Sequence, residues 1–261
     1  MSVSVSTAAS TGKHRRSGSI AGCYNRAVSS TASTLAVSLE SVRTRIAAAA
    51  HRSGRPAASV TLVAVTKTVP PEAIREAYRL GVRHFGENRV QEREAKRPAL
   101  GELREAVWHM IGHLQRNKVR RAIELFDRLD SLDSLQLAEK LEAVAAERGV
   151  RIPVLIEVRL APEETKAGIE PEALPALAAH VLRLPHLELD GLMTVPPFCP
   201  DPEQVRPYFR RLRELRDRLA AQLGRPLPRL SMGMSHDFEV AIEEGATEIR
   251  LGTALFGLRQ P

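Results

Sequence analysis

A chain of 261 residues is long enough for one α/β barrel of roughly 250 residues or for two small domains. Its composition, 43% hydrophobic and 26% charged, is typical of a globular protein, and it lacks the apolar run of about 18 residues that a membrane span requires. The net charge is +7, but aromatic residues make up only 4% and the body mixes bases with acids, which argues against a nucleic-acid-binding protein.

The first 34 residues differ in composition from the rest of the chain. They are rich in Ser, Thr and Ala and contain four basic residues but no acid, since the first acid is Glu40. No hydrophobic period is visible before Leu35. We therefore expect residues 1–34 to form a disordered extension and residues 35–261 to form one domain. Organelle transit peptides have a similar composition, so that interpretation stays open beside a tail without function or a misassigned start codon.

From Leu35 onward, apolar stretches rich in β-branched residues alternate with longer amphipathic stretches. Apolar residues recur every three or four positions in the latter, which predicts helices over Glu72–Leu80, Gln136–Arg148 and Asp201–Leu223. The apolar stretches predict eight strands, several of them fully buried: Val60–Lys67, His84–Asn88, Val107–His113, Leu125–Leu132, Val154–Leu160, Leu187–Val195, Arg229–Met234 and Glu248–Leu255.

This alternation predicts a parallel α/β fold, and eight strands in one domain-sized chain favour a single (β/α)8 barrel of the TIM type. The alternative is an open, doubly wound sheet. That fold needs fewer strands and usually carries a glycine-rich loop after the first one. The loop after Lys67 is Thr68-Val69-Pro70-Pro71, which contains no glycine.

Lys67 closes the first predicted strand, at the end of a barrel where active sites lie. One interpretation is a side chain that extends to solvent from a strand end. The other is an amine held in a dry pocket, where burial disfavours the ammonium form. A neutral amine can attack an aldehyde and form a Schiff base. Spacing alone does not decide between the two.

The last two predicted strands carry small and hydroxyl-bearing residues. The seventh runs Leu230-Ser-Met-Gly-Met-Ser235 before a helix that opens near Asp237, and the eighth ends in Gly252 and Thr253. Exposed backbone N–H groups and hydroxyls in such loops bind anions, and barrels often bind phosphate at the loops after strands seven and eight. Together with Lys67, these loops predict a ligand that has both an aldehyde and a phosphate.

Metal chemistry is not expected. His109 and His113 fall on one face of a predicted strand, where they are too far apart to act as a helical pair of ligands. The two cysteines, Cys23 and Cys199, form no CxxC pair, and we interpret them as free thiols in a reducing compartment, which predicts a cytoplasmic protein.

Five segments between residues 35 and 258 carry a family resemblance. They are LVAVTKTVPPEAIREAYRLGVRHFGENRVQE, WHMIGHLQRNK, VLIEVRLAPEETKAGI, GLMTVP and LSMGMSHDFEVAIEEGATEIRLGTALFG. In this order they resemble the pyridoxal phosphate homeostasis protein family, whose fold is similar to the N-terminal barrel of bacterial alanine racemases.

The resemblance implies that Lys67 is the Schiff-base lysine for pyridoxal 5′-phosphate (PLP) and that Arg250 lies near the pyridine nitrogen. It implies a phosphate site formed by Ser231, Met232, Gly233, Ser235, Gly252 and Thr253, with Asn88 and His109 near the face of the cofactor. The chain departs from the family pattern at two positions. Arg89 replaces a common aromatic residue, and Asp130 replaces a common histidine.

The family implies a PLP carrier in homeostasis, with PLP-dependent apoenzymes as candidate partners and a monomer or weak dimer as the assembly. The alternative is an amino-acid racemase, and an aldolase-type enzyme that acts on a phosphorylated sugar is a third hypothesis. A racemase needs proton donors and acceptors on both faces of its substrate. The chain ends at Pro261, so we expect no second domain to supply the other face and no catalytic residues.

Overall fold

The computed structural model describes residues 1–4, 21–160 and 167–257, and it describes the side chains of the first helix from Thr34 onward. Eight parallel strands close into a barrel in which each strand pairs with the next and the last pairs with the first. They are β1 (Thr61–Val65), β2 (His84–Glu87), β3 (Val107–Met110), β4 (Arg128–Leu132), β5 (Ile152–Glu157), β6 (Leu187–Met193), β7 (Arg229–Ser231) and β8 (Glu248–Leu251). The predicted (β/α)8 barrel is confirmed.

Helices cover the outside of the barrel. They are α1 (Ala21–Arg52), α2 (Pro71–Arg79), α3 (Val90–Lys96), α4 (Val119–Leu125), α5 (Leu135–Arg148), α6 (Leu174–Val181), α7 (Arg206–Leu223), α8 (Phe238–Glu243) and α9 (Thr253–Phe256). The three helices predicted from periodicity are confirmed as α2, α5 and α7, the last preceded by a 3₁₀ turn over Pro202–Val205. In the described part of the chain, no helix combines the length and the apolarity needed to cross a membrane.

The strands are shorter than the sequence predicts. Strand β4 begins at Arg128, because Leu125 still belongs to α4. Strand β3 ends at Met110, so the prediction that His109 and His113 share one face of a strand was wrong. The chain leaves the strand at Gly112, where a Cβ atom would lie 2.4 Å from the carbonyl oxygen of Asn88. His113 is exposed in the following loop, where its Nδ1 lies 2.7 Å from Asp133 Oδ2.

The first helix begins upstream of Leu35, where we predicted the domain to start. Its buried side chains in the described part recur every three or four residues, at Leu35, Leu39, Val42 and Ile46, and the helix packs against α2, α8 and α9. Residues 5–20 lie outside the described residues, so their disorder stays a prediction, whereas residues 21–34 belong to α1 and not to a disordered extension.

Alternating residues of the strands separate an apolar layer from a polar interior. Trp108 and Met110 lie in the apolar core between strands and helices, whereas His109 between them faces the inside of the barrel. Arg128 of β4 comes within 4.0 Å of Glu248 of β8, and these strands lie on opposite sides of the closed ring. The interior therefore holds charged side chains beside buried apolar ones such as Val63 and Leu155, whereas branched apolar layers are common in such barrels.

Candidate cofactor site at the barrel mouth

Lys67 lies two residues beyond the carboxyl end of β1, at the mouth of the barrel, and is half-buried. The loop after β8 lies beside it. A Cβ atom on Gly252 would be 3.6 Å from both the Cβ and the carbonyl oxygen of Val65. The closure of the barrel between β1 and β8 thus brings the predicted amine and part of the predicted phosphate site to the same edge.

The loops after β7 and β8 are joined by one hydroxyl. Ser235 Oγ accepts hydrogen bonds from the backbone N–H groups of Gly252 and Ala254, at 3.3 and 3.2 Å. Gly233 has φ +95°, and a Cβ there would lie 2.6 Å from Ala241 Cβ, so a side chain has no space at this turn. Thr253 is exposed beside these groups. Two N–H groups therefore converge on one oxygen at the mouth.

Ser231 and Met232 occupy different environments. The Met232 side chain is fully buried in the apolar layer between strands and helices. Its backbone N–H donates a hydrogen bond to the carbonyl of Glu248. Ser231 is also fully buried, and its hydroxyl accepts a hydrogen bond of 2.7 Å from Arg250 Nη1. The structure thus brings Ser231 together with Arg250, while the Met232 side chain points away from them.

Arg250 is the buried cation of the mouth. Its second donated bond goes from Nη2 to the carbonyl of Thr194, at 2.8 Å. Burial lowers the pKa of the Arg250 guanidinium, and the nearby carboxylates of Glu157 and Asp130 oppose this change. These contacts fix the plane of the guanidinium within the barrel.

Glu157, at the end of β5, is a buried acid that the sequence analysis did not single out. Burial raises its pKa to about 7, against the opposing effect of the Arg250 charge. Its Oε2 is buried without a hydrogen-bond partner. Asn88, just after β2, likewise has a buried and unpartnered Oδ1. Buried polar atoms are usually paired, so these two are available to a ligand that enters the mouth.

His109 lies deeper than the family resemblance implied. It is fully buried, its Nε2 is 2.9 Å from His84 Nδ1, and its Nδ1 is 2.7 Å from Asp130 Oδ2. Burial and the nearby His109 lower the pKa of His84 to about 4. Burial opposes ionisation of Asp130, but His109 and neighbouring arginines outweigh it and lower the pKa of Asp130. Both ring nitrogens of His109 are therefore engaged within the barrel.

His109, Asp130 and Glu248 each place one ligand-type atom within 4.8 Å of the others. Two guanidinium groups share this space. Arg128 Nε lies 3.7 Å from Asp130 Oδ1, and Arg229 Nη1 lies 2.6 Å from Glu248 Oε1. Because these cations already balance the carboxylates, the cluster is explained without a metal ion.

A group of residues at the turn of Lys67, formed by Thr68, Glu87, Glu92 and Lys96, was not predicted from the sequence. One signal was present for Glu87 and for Glu157, because each is an acid within a predicted buried strand. An acid at such a position is rarely fully buried unless it is paired or functional. For Lys96, on a short amphipathic helix, the sequence offers no comparable signal.

The fold and the mouth together define a class of protein, the α/β barrels that carry a lysine directly after the first strand and polar loops after the last two. The profile of the family described as alanine racemase, N-terminal domain, matches residues 37–260. The chain is 50% identical over 222 residues to the pyridoxal phosphate homeostasis protein of Aquifex aeolicus, and the match covers 85% of this chain and 97% of that protein. The chain therefore belongs to the pyridoxal phosphate homeostasis protein family.

Solved structures agree with this assignment. PipY of Synechococcus elongatus PCC7942, whose structure was solved with PLP bound, is 41% identical with a TM-score of 0.76, over 85% of this chain and all of that one. An alanine racemase of Clostridium difficile 630 matches with a TM-score of 0.66 at 14% identity, over 88% of this chain and 58% of the racemase. The second similarity concerns the fold alone.

Proposed function

We propose that this protein binds PLP covalently through Lys67 and acts in intracellular PLP homeostasis. The observation that carries the proposal is the position of Lys67, half-buried at the mouth where β1 meets the loop after β8. Relatives that match almost the whole barrel are named pyridoxal phosphate homeostasis proteins, and PipY was solved with PLP bound. When bound, PLP supplies an aldehyde that condenses with an amine.

The remaining groups of the mouth fit the other parts of PLP. A phosphate needs several donors, and the loops after β7 and β8 offer the convergent N–H groups of Gly252 and Ala254 beside the hydroxyls of Ser235 and Thr253. The two bonds that Ser235 Oγ accepts are long, so an anionic oxygen that accepts the same donors would bind more strongly. In this proposal the site also includes Ser231 and the backbone of Met232 and Gly233.

Arg250 suits the pyridine nitrogen of PLP. A guanidinium donates hydrogen bonds but cannot accept one, so it holds an unprotonated ring nitrogen. An unprotonated ring is a poor electron sink, which disfavours the carbanion chemistry of racemases. Asn88, with its unpartnered amide oxygen, completes the site in this proposal. In this proposal His109 lies in the barrel interior beneath the cofactor, where its two ring nitrogens bind His84 and Asp130.

We extend the proposal to the absence of enzyme-like turnover. Racemisation needs a proton donor and acceptor on opposite faces of the reacting carbon. Tyrosine is a common choice, but Tyr78 and Tyr208 lie on the outer helices α2 and α7, and the Tyr78 hydroxyl accepts a bond from the backbone N–H of Glu105. The protein is proposed as a cytoplasmic carrier that delivers PLP to apoenzymes as a monomer or weak dimer.

The test is an absorbance spectrum of the purified protein, followed by borohydride reduction and peptide mass analysis. We expect absorbance from a protonated Schiff base, and an adduct located on Lys67 that is lost in Lys67→Ala. Lys140→Ala, at an exposed position of α5, is the matched control and should leave the adduct unchanged. A colourless protein that takes up no added PLP, or full labelling of Lys67→Ala, would contradict the proposal.

A further inference from the structure

The turn that carries Lys67 is strained. Thr68 has φ +62°, and among the described residues it is the one residue other than glycine with a positive φ. This region is unfavourable for a β-branched side chain, and such a conformation persists only where its surroundings hold it in place. The conformation of this turn sets the direction in which the adjacent Lys67 side chain leaves the backbone. The contacts that hold the turn therefore affect where the Lys67 amine lies.

Two charged side chains of α3 bind the peptide units on either side of Lys67. On the N-terminal side, Lys96 Nζ donates a hydrogen bond of 2.6 Å to the carbonyl oxygen of Thr66. On the C-terminal side, the backbone N–H of Thr68 donates to Glu92 Oε2 at 3.3 Å. Glu92 and Lys96 are four residues apart on one helix, so they share a face and contact the turn together.

Glu87 completes the arrangement from the end of β2. Its Oε1 accepts hydrogen bonds of 2.7 Å from both Lys96 Nζ and the Thr66 hydroxyl. The side chains of Glu87 and Lys96 are only 0% and 12% exposed. A buried ion pair of this kind contributes little net stability, because its desolvation cost offsets the attraction between the charges. Because the Glu87–Lys96 pair binds Thr66, we infer that it holds the turn of Lys67 in its conformation.

The same contacts separate the roles of the two lysines. Lys96 Nζ donates to two acceptors, the Thr66 carbonyl and Glu87 Oε1, and these bonds hold it against the backbone of the turn. Lys67 lies at the mouth, beside the loop after β8. Lys96 contacts the backbone next to Lys67, and through this backbone it acts on the position of the Lys67 amine.

We propose that Lys96, held by Glu87 and assisted by Glu92, is a positioning residue that fixes the turn of Lys67 so that its amine meets the aldehyde of PLP. The inference rests on the proposed function. Holding two reacting groups in a near-attack arrangement greatly favours their reaction, and a misplacement of about 1 Å costs up to roughly a hundredfold. Loss of the Lys96 contact should therefore weaken Schiff-base formation more than it weakens binding of the ring and phosphate.

The experiment compares two ligands on the full-length protein. PLP can react with the amine, whereas pyridoxine 5′-phosphate has an alcohol in place of the aldehyde and reports non-covalent binding only. We would measure the rate of Schiff-base formation with PLP and the dissociation constant of pyridoxine 5′-phosphate in wild type and Lys96→Met. Lys140→Met, at an exposed position of α5, is the matched control.

In Lys96→Met we expect Schiff-base formation to slow about tenfold to a hundredfold, with pyridoxine 5′-phosphate affinity within about twofold of wild type. Because that variant leaves the Glu87 carboxylate buried and unpaired, the double variant Glu87→Gln with Lys96→Met removes both charges and decides the question if the single variant does not fold. An unchanged rate, or an equal loss for both ligands, would overturn the inference. A wild-type protein that forms no Schiff base would instead refute the proposed function.

Discussion

Replacing Glu157 by glutamine should make the protein more stable above neutral pH. Glu157 is only 6% exposed, and burial raises its pKa from 4.5 to about 7, against the effect of the Arg250 charge. Between these two values the unfolded chain releases the proton while the folded protein keeps it. The unfolded state then binds fewer protons, so stability falls as pH rises through this window.

The size of the effect follows from the two pKa values. A difference of this size lowers the unfolding free energy of the wild-type protein by about 3 kcal/mol, and the full loss is present above pH 7. Glutamine resembles the protonated acid and does not ionise. We therefore expect Glu157→Gln to be about 3 kcal/mol more stable than wild type at pH 8, and roughly 1 kcal/mol or less at pH 5.

Urea unfolding at pH 5 and pH 8 measures the difference directly. The protein should first be freed of PLP, because a bound ligand adds its own stabilisation. Glu188→Gln, at an exposed position of β6, is the matched control and should leave the pH dependence of stability unchanged. If Glu157→Gln were no more stable than wild type at pH 8, burial of the carboxylate would not control this acid, and the argument would be refuted.

Three further outcomes are expected. Thr253→Val should weaken PLP binding by about tenfold, since a charge-assisted hydrogen bond is worth about 1.5–3 kcal/mol; equal wild-type affinities for pyridoxal and PLP, measured by titration, would show that no phosphate cradle exists. Deletion of residues 1–34 should leave the spectrum and the melting temperature nearly unchanged, because the described buried side chains of α1 begin at Leu35; a loss of several degrees would show that the segment packs on the barrel. In a coupled assay over L- and D-amino acids, with an authentic racemase as positive control, turnover should stay far below 1 per second; faster turnover that Lys67→Ala abolishes would establish an enzyme.

The sequence predicted the order of the elements well, because alternating apolar and amphipathic stretches report directly on burial. It predicted their ends poorly. Leu125 has the apolar character of a strand residue, yet it completes α4 before the chain turns into β4. After β3, Gly112 lies close to the backbone of Asn88, and such a contact between segments far apart in the chain leaves no local pattern.

The candidate site was predictable where a residue and its neighbours along the chain carry the chemistry. Lys67 at a strand end, and the small residues around Gly233 and Gly252, are of this kind. The contacts of Lys96 are not, since Thr66 is thirty residues away along the chain. Met232 shows the opposite case. It falls within the predicted phosphate segment, but the alternation of a strand turns its side chain into the apolar layer.

Asp130, which replaces a common histidine of the family, lies in the interior of the barrel. The structure buries Asp130 completely and pairs it with His109. Its charge also acts on Arg250, because Asp130 and Glu157 both oppose the lowering of the Arg250 pKa by burial. An acid at this position therefore opposes the effect of burial on the Arg250 guanidinium, which the proposed function assigns to the pyridine nitrogen. The polar interior thus acts on the candidate site through Arg250, because Asp130 and Glu157 both act on its guanidinium.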